Sequence, residues 1–177
     1  NVGRSFAGQL AEADHDYWVL ELSSFQLDGM FDFKAEIAIL LNITPDHMDR
    51  YDYELQNYVD SKFRIVQNQK ESDAFIFWNE DPIIAKELTK RNVQATLYSF
   101  SEEQEAENEN WQGARTNENK LVIQTNNNYF NMSIHELALQ GKHNLLNSMA
   151  SGVASRILDL RKDLVRDSLI NFENVEH

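Results

Sequence analysis

The chain contains no cysteine among its 177 residues. That excludes disulfides, zinc–thiolate centres and thiol catalysis, and it leaves the redox compartment open, with nothing arguing for secretion. No apolar run approaches the roughly 20 residues that a membrane-spanning helix needs. Basic residues are scarce: 16 Lys and Arg stand against 29 Asp and Glu, a formal net charge of -13. Without a basic cluster, that balance opposes binding to a bare phosphate backbone, so nucleic acid is not an expected partner. Internal repeats and low-complexity tracts are missing too. The sequence opens on Asn-Val-Gly-Arg, with neither an initiator Met nor the apolar region of a signal peptide, so the expectation is a piece of something larger. What is present is ordinary for a soluble domain: 42% hydrophobic and 25% charged residues, in a length able to bury one core.

Short apolar runs bounded by turn residues read as strands over Tyr17–Leu22, Glu36–Ile43, Ala74–Trp78 and Ala95–Phe100. The first two are apolar on both faces, as interior strands of a parallel sheet are. Between them Leu55, Tyr58, Val59, Phe63 and Val66 recur at helical spacing and predict a helix over 53–69. Pro82 opens a second helix to Lys90. The stretch 101–120, with five Glu between Glu102 and Glu109, reads as a solvated acidic loop, or alternatively a cation-binding tail. Lys120–Gln124 and Tyr129–Ile134 flank Thr125-Asn-Asn-Asn128 and predict an antiparallel hairpin in a small second sheet. Leu146, Met149, Val153 and Ile157 mark a further helix, and another covers 162–171. Alternating strand and helix gives an α/β fold: a mostly parallel sheet flanked by helices, with a small antiparallel hairpin sheet.

Four polar features do not fit a plain core. Glu21 stands near the end of a run that reads as a buried strand, where an ionised carboxylate needs a cation or donors; a structural ion pair would satisfy it equally. His47 follows the next strand, in Ile43-Thr-Pro-Asp-His-Met-Asp-Arg50. Ligands of open parallel sheets bind outside the carboxyl ends of the strands, although a loop histidine can also be a bystander. Lys62 falls on the inward stripe of its helix, where it needs an anionic partner, a depressed pKa or a snorkelling stem. Gly141-Lys-His-Asn-Leu-Leu-Asn147 opens a helix with Asn144 and Asn147 on one face, suited either to a polar ligand edge or to N-capping by Asn144. A carboxylate and a histidine without thiolates suit Mg²⁺ better than zinc. No Gly-x-x-x-x-Gly-Lys-Ser/Thr phosphate loop occurs anywhere.

Glu21-Leu-Ser-Ser-Phe-Gln-Leu27, Leu41-Asn-Ile-Thr-Pro-Asp-His-Met-Asp-Arg-Tyr51, Lys62 in Ser-Lys-Phe-Arg-Ile65, and Gly141–Asn147 resemble, in order and spacing, the motifs of the Mur ligases. The first segment is most similar to that of the member adding D-glutamate to UDP-N-acetylmuramoyl-L-alanine. The resemblance implies a three-domain enzyme of which residues 1–177 are a truncated central, ATP-binding domain, lacking the phosphate loop and the N- and C-terminal domains. It implies ATP-dependent amide formation through an acyl phosphate in peptidoglycan precursor synthesis, in the bacterial cytoplasm, by a monomer without nucleic-acid or membrane partners. By the same resemblance Glu21 ligates the Mg²⁺ on ATP. His47 ligates a second Mg²⁺, helped by Lys62 as a carbamate, and these two are the catalytic pair. Asn1, Ser23 and Gln26 match residues that meet the muramoyl substrate; Asn144 and Asn147 match those at the adenine. Pro45 has no role attached. The isolated 177 residues are expected to be inactive. The competing readings are another Mur ligase or folylpolyglutamate synthetase relative, and a non-catalytic nucleotide-binding module.

Overall fold

A computed structural model describes residues 5–102, 111–126 and 128–172. Helix α1 (Phe6–Glu12) and the short α2 (Ser24–Asp28) precede strand β1 (Ile37–Leu40). A 3₁₀ turn (Met48–Tyr51) leads into α3 (Leu55–Phe63), followed by β2 (Ala74–Trp78), α4 (Pro82–Leu88) and β3 (Thr96–Ser101). Strands β4 (Gly113–Asn117), β5 (Lys120–Thr125) and β6 (Asn128–Ser133) come next, then α5 (Lys142–Ile157) and α6 (Lys162–Ile170).

The six strands form one sheet in sequence order. β1 to β4 pair in parallel, and β4–β5 and β5–β6 are antiparallel. The expected mostly parallel α/β architecture is present, but the hairpin continues the main sheet instead of making a second one. The junction is β4, which lies inside the stretch read as an acidic loop. Its sequence Gly-Ala-Arg-Thr-Asn carries little strand propensity; pairing on both sides decides the matter. Gly113 makes the pairing with β3 feasible: at φ +141° a Cβ there would lie 1.7 Å from the Ser99 carbonyl oxygen.

Each face of the sheet has its own core. Leu146, Met149 and Val153 of α5, with Val165 of α6, pack on Ile76, Phe100, Leu121 and Ile123. Tyr58, Val59 and Phe63 of α3, with Ile84 of α4, pack against Ala38, Leu40, Phe75 and Phe77. Asp81 caps α4 by accepting from the Ile83 and Ile84 N–H groups at 2.9 and 3.0 Å, one residue before Pro82.

One predicted strand is not there. Tyr17–Leu22 has no ladder partner among the described residues, and Val19 is 99% exposed. A buried parallel strand requires a paired edge and covered faces, and β1, the outermost strand, pairs only with β2. Trp18 instead makes edge-to-face contacts with Phe6 of α1 and with His15, at 5.2 and 5.0 Å between centroids. Among the described residues no helix is long and apolar enough to cross a membrane.

Candidate functional site

His47 lies in the loop leaving the carboxyl end of β1, and one buried carboxylate, Asp81, lies in the loop leaving β2. Asp81 Oδ2 accepts the Ile43 N–H at 2.8 Å while Oδ1 caps α4. The segment 43–47 is thereby anchored at its start. At its end His47 takes left-handed backbone angles, φ 50° and ψ 37°. Its N–H donates to Asp46 Oδ1 at 2.8 Å, and its Nε2 lies 3.4 Å from Asp46 Oδ2.

Lys62 is half-buried on α3, its ammonium 5.2 Å over the Tyr58 ring. Burial pushes its pKa below the ordinary lysine value, and the charges of Asp46 and Asp81 pull it partly back. The inward placement read from helical spacing is therefore present, and Asp46 links the fields felt by His47 and Lys62.

Helix α2 is brought against the same group. Ser61, next to Lys62, donates to the Ser24 carbonyl at 2.8 Å, and Arg64 Nε donates to the Leu27 carbonyl at 2.8 Å. Phe25 contacts His47 edge-on at 5.2 Å, and the Arg50 guanidinium lies 4.4 Å over its ring. Ser23 and Gln26 form a capping box: Ser23 Oγ accepts the Gln26 N–H at 3.4 Å, and Gln26 Oε1 accepts the Ser23 N–H at 2.9 Å. Two of the three predicted substrate residues thus order the start of α2. Glu21, two residues upstream, is exposed. The expectation of a desolvated carboxylate is corrected, because the strand that would have buried it is absent. Asn1 lies outside the described residues.

The other group surrounds the start of α5. Gly141, at φ 99°, is its N-cap, and Asn144 Nδ2 donates back to the Gln140 carbonyl at 2.9 Å. Asn144 is not the cap. Asn147 lines a cavity of about 280 Å³ with Leu41 and Asn42 from the end of β1, Trp78 from the end of β2, and Leu146. This is the strand edge at which open α/β sheets hold ligands, and an apolar slot with a few polar groups suits a heterocycle.

Sequence reasoning missed Asp46, Asp81 and Trp78. The signals that could have found them are the adjacency of Asp46 to His47 and the place of Asp81 just before Pro82; Trp78 reads only as the end of a strand. Among the described residues, no three His, Asp or Glu side chains gather closely enough to hold a metal ion.

A model of the Mur ligase middle domain matches residues 4–155. UDP-N-acetylmuramoylalanine–D-glutamate ligase of Bacteroides fragilis is 51% identical over all 177 residues, and the chain spans 39% of that relative's length. Among solved structures, UDP-N-acetylmuramoyl-L-alanyl-D-glutamate–2,6-diaminopimelate ligase superposes with a TM-score of 0.63 at 18% identity, covering 88% of this chain and 32% of that one. A MurF ligase from Thermotoga maritima in complex with ADP gives 0.51 at 19% identity, over 80% of this chain and 31% of that one.

Proposed function

The chain belongs to the Mur ligase middle-domain family, and on that footing we propose that it is the ATP-binding unit of the bacterial ligase that joins D-glutamate to UDP-N-acetylmuramoyl-L-alanine. The observation that carries the reading is an unbroken likeness to D-glutamate ligases along the whole chain. The reaction is amide formation. The L-alanine carboxylate takes the γ-phosphoryl group of ATP, and the D-glutamate amine then attacks the acyl phosphate, forming the C–N bond as phosphate leaves.

In this reading the two groups of residues have different tasks. Asn147, with Asn144 behind it, meets the adenine edge, and Ser23, Gln26 and Asn1 meet the muramoyl substrate. Glu21 and His47 offer oxygen and imidazole donors, which suit a hard divalent cation. Lys62 fits such a set only after modification: its neutral amine adds to the carbon of CO₂, loses a proton and becomes an anionic carbamate. A lowered ammonium pKa favours that amine. Mg²⁺, when bound, would offset charge on the transferring phosphoryl group and the developing oxyanion. The protein's share is to hold Lys62 within the field of Asp46 and Asp81 and to fix the His47 loop through Asp81. A cytoplasmic location follows from the substrates.

The test is phosphate release by the full-length ligase of which residues 1–177 are part, with ATP, UDP-N-acetylmuramoyl-L-alanine and D-glutamate. Release that depends on D-glutamate supports the proposal; dependence on another amino acid points to a sister ligase, and nucleotide binding without turnover to a non-catalytic module. Residues 1–177 alone are expected to turn over no ATP. The Lys62→Ala variant should lose most activity and regain part of it with a short-chain carboxylic acid. Absence of any rescue would count against the carbamate.

A further inference from the structure

Trp78 has no part in the reading above, yet its surroundings are unusual for a strand-end tryptophan. Its Nε1 is buried and has no hydrogen-bond partner among the described residues, whereas a buried indole N–H ordinarily finds one. Trp78 lines the cavity at the start of α5 together with Leu41 and Leu146, and Lys142 and His143 line it too. The Lys142 ammonium lies 5.8 Å from the ring centroid, near Glu80 at 3.7 Å and Glu102 at 3.6 Å. Glu80 is itself fixed, since its Oε1 accepts from Ser101 Oγ and from the Glu102 N–H, both at 2.6 Å.

These features select one end of a nucleotide. Two carboxylates against one ammonium leave this corner net negative, which opposes a polyphosphate there. A flat aromatic face with aliphatic neighbours, and with Asn42 and Asn147 nearby, suits a planar base with a polar edge. Ion pairs of 3.6–3.7 Å with a largely exposed lysine are weak, so the ammonium can give up the ring to a better partner. We propose that Trp78 is the stacking platform for the nucleobase of bound ATP, with Lys142 as an exchangeable cover that yields the ring face to the base. The inference rests on the ATP-binding reading and adds a specificity-determining residue to it.

The experiment measures ADP affinity of the full-length ligase by calorimetry. Trp78→Ala is expected to weaken ADP roughly fivefold or more, the range of a lost base–aromatic stack. Trp78→Phe, which keeps a ring, stays within about threefold of the parent. Inorganic tripolyphosphate, which has no base, binds all three alike. A second readout does not depend on the alanine variant folding: with every other tryptophan of the full-length ligase, Trp18 and Trp111 included, replaced by Phe, ADP quenches the emission of Trp78 and tripolyphosphate does not. Unchanged ADP affinity in Trp78→Ala, or no ADP-specific quenching, overturns the platform. If Asn147→Ala still weakens ADP in that case, the ATP reading survives. If the parent chain binds no ADP, both fall together.

Discussion

Replacing Lys62 with methionine separates what its charge does to the fold from what it does for function. The ammonium is half-buried over Tyr58, and burial is the largest influence on it, lowering its pKa against the opposing pull of Asp46 and Asp81. The order of these influences sets the sign. The charged form is worse off in the folded chain than in the unfolded one, so the residue subtracts stability wherever it is protonated. That deficit is complete below the folded pKa and disappears as pH rises through the unfolded value of 10.5.

Methionine keeps an unbranched stem of similar reach and removes the charge. Lys62→Met is therefore expected to be as stable as the parent or more stable by about 0.5–1 kcal/mol near neutral pH. Lys62→Ala, which also gives up the packing of the stem, is expected to lose about 1 kcal/mol. Urea unfolding followed by circular dichroism reads both, as a shift in midpoint at constant slope. The advantage of Lys62→Met should shrink as pH approaches the lysine range. In the full-length ligase the same variant should lower turnover roughly 100-fold, the scale of losing one electrostatic contact in a transition state. A loss of stability above about 1 kcal/mol in Lys62→Met would refute the reasoning, because it would make the ammonium a net-stabilising partner of Asp46 and Asp81.

Two further expectations concern the scaffold. Gly113→Ala should cost about 3 kcal/mol or more, since the new Cβ meets Ser99 backbone at 1.7 Å, whereas Gly141→Ala, also at positive φ but with nothing within 4 Å, should cost about 1–2 kcal/mol; the reverse order in urea unfolding would refute the close-approach argument. Hydrogen bonding from Lys90, reinforced by Arg91 and Gln56, holds the Glu87 carboxyl down to about 2 against the opposing effect of burial, so its stabilisation is present above the unfolded value of 4.5 and is lost as pH falls toward 2. Glu87→Gln should flatten the acid limb of the stability–pH curve, and an unchanged limb would place the acid sensitivity elsewhere.

Local signals were legible where a residue's neighbours in sequence are also its neighbours in space. The stripe Tyr58–Val59–Phe63 is buried, and Lys62 lies beside it half-buried, as helical spacing implied. The same reasoning failed at Tyr17–Leu22, because the composition of a buried strand does not supply the neighbour that would bury it. It failed in the opposite direction at β4, where polar residues pair because β3 and β5 flank them. Glu21 inherited the first error: its burial was inferred from a strand, and without the strand the carboxylate is exposed.

Asp81 shows why the site was harder to read than the fold. In sequence it is an N-cap before a proline, and it does cap α4. Its second oxygen takes the Ile43 N–H from 38 residues away, and its charge reaches Lys62 on another helix. One carboxylate therefore starts a helix, anchors the loop that ends at His47 and opposes the desolvation of Lys62. No spacing rule encodes that convergence, because it depends on β1 and β2 being parallel neighbours whose carboxyl ends open side by side. The motifs set which polar groups the chain carries, and the parallel pairing brings the loops that hold His47 and Asp81 together.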